Sequence, residues 1–284
     1  MKKTITTFLI IIGLSVTGFS QIFPPEFLCV NSDTLIWNLP TNTCGTFNSY
    51  EIYFSANETG PFTLLTTITD ENQSTYFHAT AGGNVWYYYF LSDYNCPGEM
   101  AISSDTLDNR PAEVSVIEVV SVENGLVDLS WYPSPSPEVI GYIIYRETNI
   151  GFIPIDTVFS GTTYTDLDAL PNNTVETYFV NALDQCGNTS IFDDPHNTIL
   201  LETAVDICSQ TILLNWNPYQ NWQNSTEEHR IWLSINSAPF QMVDVTDGAA
   251  TSYLFENAND SDEYCFYVEA VESVTGVALS LIHI

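Results

Sequence analysis

The residues that could carry out chemistry are few and widely separated in this chain of 284 residues. A hydrolase serine commonly lies in a G-x-S-x-G turn after a strand, and the predicted strands of this chain are not followed by one. His78, His196 and His229 lack the H-x-x-x-H spacing that places two zinc ligands on one helix face. We therefore predict no catalytic residues, no metal ligands and no enzymatic activity.

The charge of the chain restricts its partners. It has 35 Asp and Glu against 5 Lys and Arg, a formal net charge of −30. Such a surface repels nucleic acid and anionic lipid, so neither is an expected partner. We interpret the acidic residues as favouring solubility in a saline extracellular medium, where salt ions screen the repulsion between the carboxylates. Cation binding is the alternative, but the D-x-D-x-D-G spacing of a calcium loop is missing, so we expect no cofactor and keep calcium as the exception.

The first 20 residues have the pattern of a signal peptide. Lys2 and Lys3 are followed by an apolar run, and Gly18 and Ser20 are small residues at the positions that a signal peptidase reads. The apolar run is too short to span a bilayer comfortably, so we expect cleavage before Gln21 and no membrane insertion. The mature protein is then secreted or held at the cell surface. Six cysteines in an exported chain further predict disulfides, and the lack of a C-x-x-C pair argues against a zinc or redox motif.

A single strand pattern recurs three times along the mature chain. TLIWNLP, DLSWYPS and LLNWNPY place Trp37, Trp131 and Trp216 at a spacing of roughly 90 residues, the size of one β-sandwich. Around the second tryptophan, Val127, Leu129 and Trp131 alternate with polar residues and therefore share one face of a strand. The three tryptophans are thus predicted to be core residues of an all-β fold.

These strands resemble the fibronectin type III family, a branch of the immunoglobulin-like fold. That family has its core tryptophan on the second strand and a later strand of the form Y-x-x-x-V-x-A, which Tyr264, Val268 and Ala270 match. The resemblance covers nearly all of the mature chain. It implies three tandem β-sandwiches, at residues 21–111, 112–202 and 203–284, of which the third is incomplete.

The same resemblance implies disulfide pairings. In a type III sandwich the loops that contain Cys44 and Cys96 share one pole, so these two cysteines are expected to pair. Cys186 matches Cys96 in position but has no such neighbour, and we expect it to meet Cys29 across the first domain junction.

Several short motifs indicate the group of organisms from which the chain comes. NLPTNTCGTFNSYEIYFS, YNCPGE, SDTLDN and DQCGNTS resemble secreted surface proteins of Bacteroidetes, which end in a gliding-motility-associated C-terminal domain linked to type IX secretion. The final LSLIHI, residues 279–284, resembles a translated sequencing adapter, which would explain a third domain that lacks its last strand. The D-T-L triplets resemble the O-glycosylation motif of these proteins, and Thr106 is the expected acceptor.

Two hypotheses for function follow. The favoured one is a non-enzymatic surface protein whose modules act as spacers or adhesins in gliding motility or surface attachment, with an extracellular glycan or protein surface as partner. The alternative is an accessory stretch, carbohydrate-binding or spacer, of a secreted polysaccharide-degrading enzyme. We interpret the densest aromatic clusters as core packing. The alternative is a ligand platform, for which Trp222, in the polar loop Gln220–Asn224, is the candidate.

Overall fold

A computed structural model describes residues 21–42, 44–273 and 278–280 of the chain. The predicted signal peptide and the last four residues lie outside this part. Every regular element within these ranges is a β-strand. The described residues include no helix that is long and apolar enough to cross a membrane.

The first repeat contains nine strands, two of which are short additions to a seven-strand pattern. They are β1 (Gln21–Ile22), β2 (Glu26–Asn31), β3 (Thr34–Asn38), β4 (Phe47–Ser55), β5 (Thr63–Ile68), β6 (Thr75–Phe77), β7 (Tyr87–Tyr94), β8 (Met100–Ala101) and β9 (Leu107–Asp108). The additions β1 and β8 form a parallel pair of their own.

The second and third repeats contain seven strands each within the described ranges. Those of the second are β10 (Ile117–Glu123), β11 (Leu126–Trp131), β12 (Val139–Thr148), β13 (Gly151–Val158), β14 (Thr163–Asp166), β15 (Thr177–Asp184) and β16 (His196–Asn197). Those of the third are β17 (Leu201–Asp206), β18 (Thr211–Trp216), β19 (Thr226–Ile235), β20 (Gln241–Asp247), β21 (Ser252–Glu256), β22 (Tyr264–Glu272) and β23 (Ala278–Ser280).

The three repeats share one sheet topology. The three-stranded sheets are β2-β3-β6, β10-β11-β14 and β17-β18-β21, and the four-stranded sheets are β5-β4-β7-β9, β13-β12-β15-β16 and β20-β19-β22-β23. In each repeat the fourth strand joins the sheet of the third strand. A constant-type immunoglobulin domain instead keeps its fourth strand with the first, second and fifth. The predicted fold class, tandem fibronectin type III-like β-sandwiches, is confirmed.

The last strand of the third repeat is short. β23 pairs with Ala270 and Val271 at the edge of β22 as the fourth strand of its sheet. Pairing at a sheet edge uses backbone N–H and C=O groups, so a side-chain pattern is a poor guide to whether so short a strand forms. The truncation of the third repeat stays a prediction, and residues 281–284 of the expected adapter segment lie outside the described residues.

The chain divides into two units by its internal contacts. One comprises Met1–Phe27 and Asp33–Asp108, and the other comprises Leu28–Ser32 and Asn109–Ile284. The second and third predicted repeats thus lie together in the second unit.

Each repeat buries its tryptophan between its two sheets. In the first unit Trp37 of β3 packs against Phe90 of β7, with ring centroids 4.8 Å apart. In the second unit Trp131 packs against Tyr142 at 5.4 Å, and Trp216 is also buried. The alternation of β11 explains this burial, because every second side chain of a strand faces the same sheet surface.

We expect Trp131→Ala to lower the free energy of unfolding of the second unit by about 3–5 kcal/mol, because it leaves a large cavity in the core. Tyr132→Ala is the matched control on the opposite face of the same strand end, and it should cost less than about 1 kcal/mol. Urea denaturation of both variants measures the difference. Equal unfolding midpoints for Trp131→Ala and the wild type would contradict the core assignment.

Candidate binding sites

Two disulfides crosslink the chain. Cys44 is bonded to Cys96, with Cα atoms 5.6 Å apart, and Cys29 is bonded to Cys186, with Cα atoms 6.2 Å apart. Disulfide formation, predicted from the cysteines of an exported chain, is therefore present. Cys208 is exposed and takes no part in either bond.

The backbone around Cys186 is fixed by a buried carboxylate. Asp184 Oδ1 accepts hydrogen bonds from the backbone amides of Cys186 and Asn188, each at 2.8 Å, and its Oδ2 accepts from Asn188 Nδ2 at 2.8 Å. Gly187 has a φ of 84°, a conformation that glycine adopts without steric cost. These bonds hold the turn after β15 in the shape that presents the Cys186 sulfur.

In one group of potential metal ligands, the two cysteines are joined by a disulfide and cannot coordinate a metal. Ligand atoms of Cys44, Cys96 and Glu99 lie within 4.8 Å of one another. Metals bind the thiolate form of cysteine, and both of these sulfurs are already bonded to each other. The arrangement therefore carries no argument for a metal site.

A buried ion pair is the main charged cluster in the interior of the second repeat. Arg146 Nη1 donates to Asp166 Oδ2 at 2.7 Å, and the Tyr178 hydroxyl donates to the same oxygen at 2.9 Å. The Asp166 side chain is only 3% exposed. Burial and the neighbouring Asp166 charge raise the pKa of Tyr178. Asp166 Oδ1 also accepts from the Asp168 backbone amide at 3.0 Å, so both carboxylate oxygens are occupied and the cluster stabilises the fold.

Trp222, the possible ligand platform, is buried, which agrees with core packing instead. Its ring is 8% exposed, stacks on Tyr219 with centroids 4.1 Å apart, and donates from Nε1 to the backbone oxygen of Glu118 at 3.0 Å. We call residues 217–225, the loop between β18 and β19 of the third repeat, the junction loop, because it packs against β10 of the second repeat. The polar loop suggested solvent exposure, but the Trp222 ring is buried, and beside it Asn221 Nδ2 donates to the Pro195 oxygen of the second repeat at 2.6 Å.

Tyr219 occupies the centre of this junction. Its hydroxyl accepts from the Val120 backbone amide at 2.9 Å and lies 3.1 Å from His196 Nδ1. Either group can donate in this contact, because a hydroxyl oxygen has two acceptor lone pairs and the role of Nδ1 depends on the tautomer of His196. Burial lowers the pKa of His196 to about 4, and burial raises that of Tyr219.

Amide side chains extend the junction on its polar side. Asn197 Nδ2 donates to the Pro218 oxygen at 3.1 Å, and Asn197 Oδ1 accepts from the Gln220 amide at 2.9 Å. Asn217 Nδ2 reaches back to the Thr198 oxygen at 2.9 Å. The donors and acceptors come from both repeats, so the network depends on their mutual placement.

The apolar side of the junction is continuous with the cores of both repeats. One cluster of buried residues contains Trp131 and Ile144 of the second repeat together with Leu214 and Trp216 of the third, and it includes Trp222. The two repeats therefore share a core and do not behave as sandwiches joined by a bare linker.

A stacked pair of aromatic rings stands on the outer face of the four-stranded sheet in every repeat. The pairs are directly opposite on neighbouring strands: Tyr53 with Tyr89, Tyr145 with Phe179, and Trp232 with Tyr267. Their centroids are 5.0, 4.6 and 5.5 Å apart, with interplanar angles of 5°, 19° and 13°. Because each ring covers a face of its neighbour, the pairs are packing elements of the sheet and not flat platforms.

A groove in the second unit contains an aromatic ring that the sequence analysis did not select. It has a volume of about 880 Å³, and we call it the Tyr132 groove. Its lining includes Arg110, Pro111, Glu113, Tyr132, Ile191 and Gln223. The motif Trp-Tyr-Pro-Ser-Pro could have indicated this exposed ring from the sequence. The residue after a core tryptophan points away from the core, and the prolines restrict the loop that follows.

Thr106, the expected glycosylation acceptor, is half-buried and directly precedes β9. Its modification stays a prediction.

Comparison with known proteins adds limited information. No protein family model matches the chain. A stretch of 95 residues is 37% identical to an amylopullulanase of Thermoanaerobacterium saccharolyticum, and it covers 33% of this chain but 7% of that enzyme. Among solved structures, the FN1–FN3 domains of chicken CNTN1 are 16% identical, with coverage of 92% of this chain and 98% of that one. The TM-score of 0.26 is too low to support an argument. The fold is fibronectin type III-like on the strand order of the repeats themselves.

We expect Asp166→Asn to destabilise the second unit by roughly 2–4 kcal/mol, because it removes the anion that neutralises Arg146 in the interior. Asp168→Asn, two residues away and exposed, is the matched control and should change stability by less than about 0.5 kcal/mol. Urea unfolding monitored by tryptophan fluorescence measures both. A loss no larger than that of the control would show that the ion pair is not stabilising.

We expect His196 to make the second unit less stable in acid. Above about pH 6.5 the imidazole is neutral in both states. Between that pH and its folded pKa of about 4, the unfolded chain binds a proton that the folded chain excludes, so stability falls as the pH falls. The full loss is at most roughly 3 kcal/mol.

The test compares the unfolding free energies of the wild type and His196→Gln at a series of pH values. The other acid-sensitive groups remain in both proteins, so the difference between the two profiles isolates His196. Parallel profiles between pH 7 and 4 would refute the assignment.

Proposed function

We propose that this chain is a non-enzymatic extracellular protein whose β-sandwiches act as a spacer that holds an adhesive surface away from the cell. The observation that carries the proposal is the junction loop, whose Tyr219 and Trp222 side chains bind the backbone of β10. A spacer needs joints that resist bending, and this joint is buried and hydrogen-bonded.

The cost of bending follows from the atoms involved. Separating the third repeat from β10 would expose the Trp222 ring and strip partners from the Val120 amide and the Glu118 carbonyl. Water replaces the lost partners of these two groups, so each broken hydrogen bond costs about 0.5–1.5 kcal/mol net. Exposing a large aromatic ring adds a further cost, since such rings bury more area than any other side chain. The second and third repeats are therefore proposed to move as one body.

The placement outside the cell is supported by three features. Disulfides persist in oxidising compartments, the first 20 residues resemble a signal peptide, and the net charge of −30 suits a salty exterior. The link to gliding motility and type IX secretion rests on the resemblance of the first repeat and its neighbouring motifs to Bacteroidetes surface proteins.

A second candidate function is an accessory module of a secreted polysaccharide-degrading enzyme. The observation that favours it is the 37% identity over 95 residues to an amylopullulanase, of which the match covers only a small part. A short match to a long enzyme is the pattern expected of a shared appendage. In this case the chain would bind or space without catalysing.

The test of the spacer is the stiffness of its joint. Spin labels on the native Cys208 and on Ile150→Cys, both exposed, report the distance between the third and second repeats in a Cys265→Ser background. We expect a narrow distance distribution that Trp222→Ala broadens. Trp232→Ala is the matched control, because this tryptophan lies on the outer sheet face and not at the junction. A distribution in the wild type as broad as in Trp222→Ala would contradict the spacer proposal.

A further inference from the structure

We propose that the Tyr132 groove binds an uncharged oligosaccharide. The proposal deepens the second candidate function, since it supplies the site through which an accessory module would hold a polysaccharide.

The groove offers an aromatic ring that is open to a ligand. Tyr132 is 52% exposed, whereas Trp222 is buried and the outer-face pairs cover one another. The backbone amide of Tyr132 donates to the Val116 oxygen at 2.9 Å, and its hydroxyl lies 3.5 Å from Glu118 Oε1. Ser130 Oγ in turn donates to Glu118 Oε2 at 3.0 Å. The backbone of Tyr132 is therefore fixed, and the long contact between its hydroxyl and Glu118 favours one ring orientation, which reduces the entropy lost on binding.

The polar groups of the lining suit hydroxyl groups. The Arg110 guanidinium provides donors, the Glu113 carboxylate provides acceptors, and the Gln223 amide provides both. A ring face flanked by a few convergent polar side chains is the usual composition of a small-molecule site. Pyranose rings match it, because they present apolar C–H faces and a rim of hydroxyls.

The segment that carries Glu113 is itself fixed. Its backbone amide donates to Ser136 Oγ at 2.9 Å, and its carbonyl accepts from Ser134 Oγ at 2.7 Å. Pro133 and Pro135 restrict the intervening loop. The segment that carries Glu113 and the loop after β11 thus form one rigid wall of the groove.

The charges select an uncharged ligand. Arg110 and Glu113 are the charged residues of the lining, and the Glu118 carboxylate lies 3.5 Å from the Tyr132 hydroxyl, so the groove has no excess of positive charge. The chain around it has a net charge of −30, and this field disfavours an anionic polysaccharide. Gln223 belongs to the junction loop, so the third repeat contributes a residue to the groove.

Isothermal titration calorimetry of the full chain tests the proposal with cellohexaose, maltohexaose and mannohexaose as neutral probes and hexagalacturonate as the anionic probe. We expect at least one neutral probe to bind with a dissociation constant below about 1 mM. Tyr132→Ala should weaken that binding by about tenfold or more, and Tyr132→Phe, which keeps the ring, should restore most of it. Phe192→Ala removes another exposed aromatic side chain outside the groove lining and should leave binding unchanged.

Three results would overturn the proposal: no binding of any neutral probe, equal binding of hexagalacturonate, or binding that survives Tyr132→Ala. Thermal unfolding of Tyr132→Ala is measured in parallel so that loss of binding is not confused with loss of fold. Failure here leaves the spacer proposal standing, because the stiffness of the junction is measured by the spin-label distances and not by ligand binding.

Discussion

The insertion of Tyr219 and Trp222 against β10 is the interaction on which the rest of the second unit depends. These two rings close the shared core from the side of the third repeat, and their polar atoms satisfy backbone groups of the second. A β-sandwich alone buries a modest fraction of its surface because it is small. By merging two cores, the chain gains burial that neither repeat could reach alone, and it gains a fixed joint at the same time.

Cations are scarce, and the three arginines of the chain have defined positions. Arg146 neutralises the buried Asp166, and Arg230 lies 2.8 Å from Glu228 and 3.8 Å from Glu269 on β19 and β22. Arg110 lines the Tyr132 groove. In a chain with a net charge of −30, the acids remain mainly as a solvated and mutually repelling surface. Such a surface keeps copies of the protein apart and leaves recognition to short-range contacts in grooves and loops.

The repeats keep one strand order while their loops diverge, and the differences between them lie in the loops. The loop after β18 became the junction loop, the loop after β11 became a wall of the groove, and the loop before β4 carries a disulfide cysteine. This division is common in proteins built on a rigid sandwich, since loops tolerate change that core strands do not. It also explains why the fold says little about function by itself.

Local pattern was sufficient for the strands and for the core. Val127, Leu129 and Trp131 alternate with polar residues, and the period of two places them on one face in any sheet that buries them. The spacing of the tryptophans likewise indicated the number of repeats. Cys44 and Cys96 could be paired in advance only because the fold was recognised and its loops could be assigned to a pole.

Tertiary packing determined which loop side chains are buried and which are exposed. Trp222 lies among exposed amides, yet its ring is buried because it stacks on Tyr219 and binds the backbone of β10 on another repeat. Tyr132 follows a core tryptophan in an ordinary strand, yet its ring lines a groove that also requires Gln223, 91 positions further along. The burial of a loop side chain depends on the residues that pack against it. Those residues are distant in sequence, so local periodicity carries no information about them.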